Sequence, residues 1–137
     1  PSALLASPHA LSSTGEPSAS VLRPFSRRHS PSGGLCITAE ELAGLGASLL
    51  DCQRAGAPLD CAAFRSMLPQ GGAAYGFGWF LDPYRRHPRM WHTGSTRGFR
   101  TVIERFPANK LTVVVLCNRN DLDAAALALQ AADLFLK

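Results

Sequence analysis

Lysine is nearly missing from this chain. Of its 14 basic residues 12 are Arg, and the two Lys stand at 110 and 137. The Arg residues are scattered instead of gathered into a stripe, so a net charge of +4 does not make a nucleic-acid footprint. No apolar run approaches the roughly 20 residues of a membrane span. Residues 1–10 lack the basic start and long apolar core of a signal peptide, and no initiator Met precedes them. The chain therefore reads as a piece cut from something longer. No Cys-x-x-Cys occurs, and no His stands near the four cysteines at zinc-ligand spacing, so neither a metal nor a cofactor is expected. Cys36, Cys52 and Cys117 fall in apolar periodic segments and are most simply read as buried thiols.

What is present is one domain's worth of material. The 137 residues are 46% apolar and only 18% charged, a globular composition with enough chain for a sizeable core. Residues 1–34 form an irregular Ser/Pro-rich segment, in which Thr14-Gly15-Glu16-Pro17 reads as a turn and Arg27-Arg28-His29 as a solvated basic face.

From residue 35 the pattern turns periodic, and 35–137 read as one α+β unit. Thr38 followed by Glu41 is a capping box, and Leu42, Leu45 and Leu49 repeat at helical spacing, which predicts an amphipathic helix over 39–52. Asp60 is placed to cap a second short helix ending at Met67. From Tyr75 the aromatic content jumps and the period shortens. Strands are predicted over Gly76 to Leu81, Arg89 to Thr93, Phe99 to Phe106 and Leu111 to Cys117. The 107–110 connection is tight, with Asn109 the expected left-handed residue. The last strand is apolar at both parities, so both of its faces should be covered. A closing helix over 122–136, capped by Asn120 or Asp121, carries one narrow polar stripe and should be mostly buried. The expected fold class is α+β: an antiparallel sheet of three to four strands with flanking helices.

The chemistry-bearing stretch is Trp91-His92-Thr93-Gly94-Ser95. An imidazole and a hydroxyl one residue apart stand beside a glycine that permits close approach of a ligand to the backbone. Alone, the triplet also reads as a polar hairpin turn.

The order of motifs resembles the C-terminal half of the serine β-lactamase family, which holds class C β-lactamases, penicillin-binding DD-peptidases, D-aminopeptidases and related esterases. The resemblance rests on Pro31-Ser32-Gly33-Gly34-Leu35 before a Thr-capped helix, then Tyr75-Gly76-Phe77-Gly78-Trp79, then His92-Thr93-Gly94 with Gly98-Phe99. It covers the chain from about residue 7. It implies a β-lactamase/transpeptidase-like fold and a bacterial setting, with the compartment, periplasm or cytoplasm, left open. In that family a Lys/His-Thr/Ser-Gly triplet lines the active site on a strand. Carried over, His92 takes the place of the triplet's cation, Thr93 contacts substrate and Gly94 lets it approach. The Ser95 N–H would be one of two oxyanion-hole donors. His in place of Lys points toward the esterase and peptidase branches.

The departures weigh as much as the match. The family's nucleophile lies in Ser-x-x-Lys, but Pro107 and Leu134 stand three residues before the two lysines. No Tyr-x-Asn or Ser-x-Asn second motif replaces it: Tyr75 and Tyr84 are followed two residues on by Phe77 and Arg86. The expected function is thus that of a C-terminal fragment of a serine hydrolase acting on a small ester, D-amino-acid peptide or lactam. Its partner would be an N-terminal half that carries the nucleophile, with self-association through exposed sheet as a second contact. The chain alone should be inactive. A non-catalytic binding module that kept the half-fold is the alternative. An unrelated α+β domain whose His92 is only a turn residue is a third reading.

Overall fold

The computed structural model describes residues 6–20, 33–50, 60–67, 74–76, 78–96 and 98–137. The Arg27-Arg28-His29 cluster lies outside them, as do Pro31, Ser32, Cys52, Phe77 and Arg97.

Strands β1 (His9–Leu11) and β2 (Pro17–Ala19) pair antiparallel, so the segment expected to be irregular contains a hairpin. Its loop is the turn read from Thr14-Gly15-Glu16-Pro17. The Ser12 hydroxyl accepts from the Thr14 and Glu16 amides, and Gly15 takes φ +82°. Helices α1 (Ala39–Leu50) and α2 (Cys61–Met67) follow. The capping box at Thr38 forms in both directions: Thr38 Oγ1 accepts the Glu41 amide at 3.2 Å, and Glu41 Oε2 accepts the Thr38 amide at 3.0 Å. These bonds to Thr38 hold the Glu41 carboxyl below its ordinary range. Asp60 caps α2 by accepting from the Ala63 amide at 2.7 Å.

The main sheet is a meander of five antiparallel strands: β3 (Tyr75–Gly76), β4 (Trp79–Leu81), β5 (Met90–Thr96), β6 (Phe99–Phe106) and β7 (Leu111–Cys117). One strand more forms than the three to four expected, because Gly78 at φ +88° folds the anticipated 76–81 strand back on itself. Helix α3 (Ala124–Asp133) closes the chain.

Antiparallel pairing assigns the faces. Val102 lies opposite Val115 and Glu104 opposite Val113, and on this face the small Ala124 and Ala128 of α3 seat against Val102, Val113 and Val115. Ile103 and Arg105 occupy the other face. There α1 comes so close at Gly46 that a side chain would press on Ile103, Arg105 and Thr112. Strand β7 ends the sheet among the described residues, yet each of its faces carries a helix, as its two-sided apolar pattern requires.

Four local expectations are corrected. Lys110, not Asn109, takes the left-handed position (φ 52°), after a 3-10 turn at Pro107–Asn109. Asp123 caps α3, its carboxylate accepting the Ala126 amide at 3.0 Å, because the helix starts two residues later than expected. Its buried side is alanine, and Leu127, Leu134 and the following Phe135 are exposed, so the helix is not mostly buried. Cys36 is exposed and free, Cys117 is a half-buried free thiol, and Cys61 is disulfide-bonded. No helix of the described residues is long and apolar enough to cross a membrane.

Candidate active site

Strand β5 carries His92, Thr93, Gly94 and Ser95 in one extended run, and it continues beyond the Thr93 end expected for it. Alternation separates their side chains. His92 and Gly94 share a face with Ile103 and Thr101, whereas Thr93 and Ser95 share the other with Val102 and Arg100. The backbone unites them instead. Thr96 pairs with Phe99, and with only two residues between them that couple is the hydrogen-bonded closing pair. Bonding then alternates, so the amides and carbonyls of Ser95, Thr93 and Trp91 point away from β6, toward β4. The β4 side agrees: the Leu81 amide bonds outward to the Ala74 carbonyl at 2.8 Å, leaving Phe80 to bond Trp91. Strand β4 pairs with β5 only at Phe80–Trp91 and Leu81–Met90. Past Trp91 the Thr93 and Ser95 backbone therefore faces an edge with no strand on it among the described residues.

The His92 ring turns toward that same edge. Its Nδ1 lies 2.7 Å from the Thr93 carbonyl oxygen, and its Nε2 lies 3.2 Å from the Tyr75 hydroxyl. A carbonyl only accepts, so Nδ1 carries the proton and donates; in the neutral form of the ring Nε2 then accepts from the Tyr75 hydroxyl. Phe80 stacks on the imidazole at 5.5 Å between centroids. Tyr75 is 46% exposed, so the couple is open to solvent.

Gly94 is where a glycine is required. A β-carbon there would collide with the Thr101 hydroxyl. Gly98, at φ +78°, likewise leaves room for Pro8 of the hairpin segment, which thereby sits against the β5–β6 turn.

Behind the strand lies a charged cluster. Glu104 is fully buried, with Arg89 Nη1 3.4 Å from its carboxylate. Burial pushes the Glu104 carboxyl up to about 7, with Arg89 only partly opposing the shift. Arg89 Nη2 also pairs with Asp82 at 2.5 Å, and the Trp91 indole N–H donates to the same carboxylate. On the α3 face an open groove of about 410 Å³ is lined by Thr93, Ser95, Arg100 and the α3 N-terminus. It receives the Thr93 and Ser95 side chains, not the His92 ring. Among the described residues no group of three or more His, Cys, Asp or Glu is placed to hold a metal.

Of the residues singled out in the sequence, the structure brings the His92 ring and the Thr93 and Ser95 backbone to one edge, with Gly94 between. Tyr75 was not singled out as a site residue. It stands 17 positions away, and only the β3–β4 reversal at Gly78 brings it to His92.

A family model described as "Beta-lactamase" matches residues 3–136 of the chain. No match was found among curated proteins or among solved structures. The chain belongs to the β-lactamase family, and its α+β architecture, a five-stranded antiparallel sheet with helices, accords with that fold.

Proposed function

We propose that this chain supplies one wall of an acyl-serine hydrolase site, the nucleophile coming from an upstream half of the same protein. The observation that carries the reading is the β5 edge. There a donor N–H at Ser95 and a tautomerically defined imidazole at His92 face the same open side of the sheet. In the complete site a serine oxygen from the upstream half attacks an ester, amide or lactam carbonyl. The Ser95 N–H and the amide of that serine hold the resulting oxyanion. The leaving group departs with a proton, and water then hydrolyses the acyl-serine. Thr93 and Gly94 offer the acyl part of the substrate an extended backbone to lie along. His92, with Tyr75 as its partner, takes the cation position and binds the substrate carboxylate or assists the proton relay. No cofactor is invoked.

The chain alone carries no Ser-x-x-Lys and is expected not to turn over nitrocefin or p-nitrophenyl esters above background. Mixing it with the upstream half is expected to restore turnover, and His92→Ala to lower it by roughly 10²-fold or more, the scale of a lost acid–base or electrostatic group. Turnover by the isolated chain that a covalent serine probe blocks would overturn the reading. Peptide binding without turnover in the mixture would favour a non-catalytic module that uses the same edge.

A further inference from the structure

His92 is held by more than its two hydrogen bonds. Phe80 is in ring contact with three partners: Tyr75 at 4.6 Å edge-on, His92 at 5.5 Å and Trp91 at 4.8 Å, the last two stacked at 26° and 29° between planes. The plane of that stack is set by Trp91, whose ring is gripped at its edge and its face. At the edge the indole N–H donates to Asp82. At the face the Arg89 guanidinium lies 4.7 Å from the ring centroid. Arg89 is itself fixed, 9% exposed, between Asp82 and the buried Glu104. Among the described residues Asp82 is the one group that binds both the indole and the cation above it. It lies at the end of β4, two residues after Phe80 and beside Leu81, which pairs with Met90.

We propose that Asp82 is a positioning residue for His92: by tying the Trp91 indole to Arg89 it sets the aromatic stack against which Phe80 holds the imidazole in one orientation. The inference rests on the reading that His92 serves the site, but it concerns the ring's geometry and is testable without turnover. An indole released from Asp82 is free to tilt, and Phe80 follows it. His92 then loses the surface that aims Nδ1 at the Thr93 carbonyl and Nε2 at Tyr75. A ring so freed populates both neutral tautomers, since nothing then reserves the proton for Nδ1.

The test is nitrogen-15 NMR of the imidazole in the purified 137-residue chain, with indole fluorescence recorded in parallel in a Trp79→Phe background, where Trp91 is the sole emitter. Wild type is expected to show one neutral tautomer, protonated at Nδ1. Asp82→Ala is expected to give a tautomer mixture, a shift of the Nε2 resonance and a changed indole emission. Asp82→Glu should restore part of the wild-type signal, because a carboxylate returns to the same two partners. Should Asp82→Ala unfold the chain, Trp91→Phe removes the indole donor and shrinks the ring while leaving the Asp82–Arg89 pair in place, and is expected to shift the same His92 resonances by a smaller amount. His92 shifts that stay at wild-type values in a folded Asp82→Ala or Trp91→Phe variant, with only the melting temperature lowered, would overturn the proposal and leave Asp82 a purely structural ion pair. Reconstituted turnover that survives His92→Ala would instead overturn the functional reading, while the NMR outcome still decides the positioning role.

Discussion

Glu104 and Arg105 are neighbours on β6 with opposite surroundings. Both are buried, but alternation sends Glu104 to the α3 face, where Arg89 meets it, and Arg105 to the α1 face, where its Nε and Nη1 have no partner among the described residues. Burial pulls the Arg105 guanidinium down to about 10. Both are charged groups whose burial costs free energy, and only one is partly offset. For Glu104 this has a pH signature. Its carboxyl is raised from an ordinary 4.5 to about 7, so between these values the folded chain binds the proton that the unfolded chain has lost. Stability is therefore fully present below about 4.5, falls as pH rises toward 7 and levels off above it. The expected loss is on the order of 1–3 kcal/mol, since a tenfold change in proton affinity is worth about 1.4 kcal/mol and Arg89 retains some of the pairing. Urea unfolding in acetate near the lower value and in buffer above the upper one measures it. Glu104→Gln should flatten the dependence, and an unchanged slope in that variant would assign it to another group.

At the scale of elements, the sheet and α3 meet through small residues. Ala124, Ala128 and Ala132 recur at every fourth position and form the buried side of the helix. Ala128 is fully buried in the cluster with Val102. Close approach is possible because nothing longer than a methyl stands between the helix and the valines. Ala128→Leu is expected to destabilise the chain by about 1–3 kcal/mol through overpacking. Ala126, on the half-buried flank, should take the same change at a smaller cost. Thermal melts of the two variants compare them, and equal losses would mean that α3 does not seat on this stripe. The element that carries the candidate site shows a related economy. Strand β5 outruns β4, so its far end keeps pairing with β6 on one side while its other edge has no strand on it among the described residues. Peptide geometry, more than any single side chain, places a donor at Ser95.

Over the whole molecule, apolar surface is left uncovered on α3 and around its ends: Leu122, Leu127, Leu134 and Phe135 are all exposed, the last two at 79% and 66%. Strand β7 presents a free edge to one side of the sheet among the described residues. Scattered apolar side chains are ordinary on a protein surface, whereas several on one helix and its extension make an adhesive face. The isolated chain is expected to self-associate at tens of micromolar and to bind a dye specific for apolar surface. Leu134→Lys with Phe135→Lys should shift it toward monomer in sedimentation velocity. A monomer in the parent chain at the same concentration, without dye binding, would count against this.

Local signals carried much of the architecture. Thr38 with Glu41 announced α1 and Asp60 announced α2, because caps are made between residues three apart. The strands at 99–106 and 111–117 were legible end to end, the second from its apolar run. The α+β class followed from the change of period at Tyr75. His92, Thr93, Gly94 and Ser95 were legible as a candidate edge because they are consecutive. What tertiary structure alone decided depends on pairing between distant positions. The reversal at Gly78 split one expected strand into two and carried Tyr75 to His92. The register of β5 on β6 determined which amides face the open edge, and helix packing selected alanine over leucine as the inner side of α3. None of these is written in a local period, since each is settled by which backbone lies alongside which.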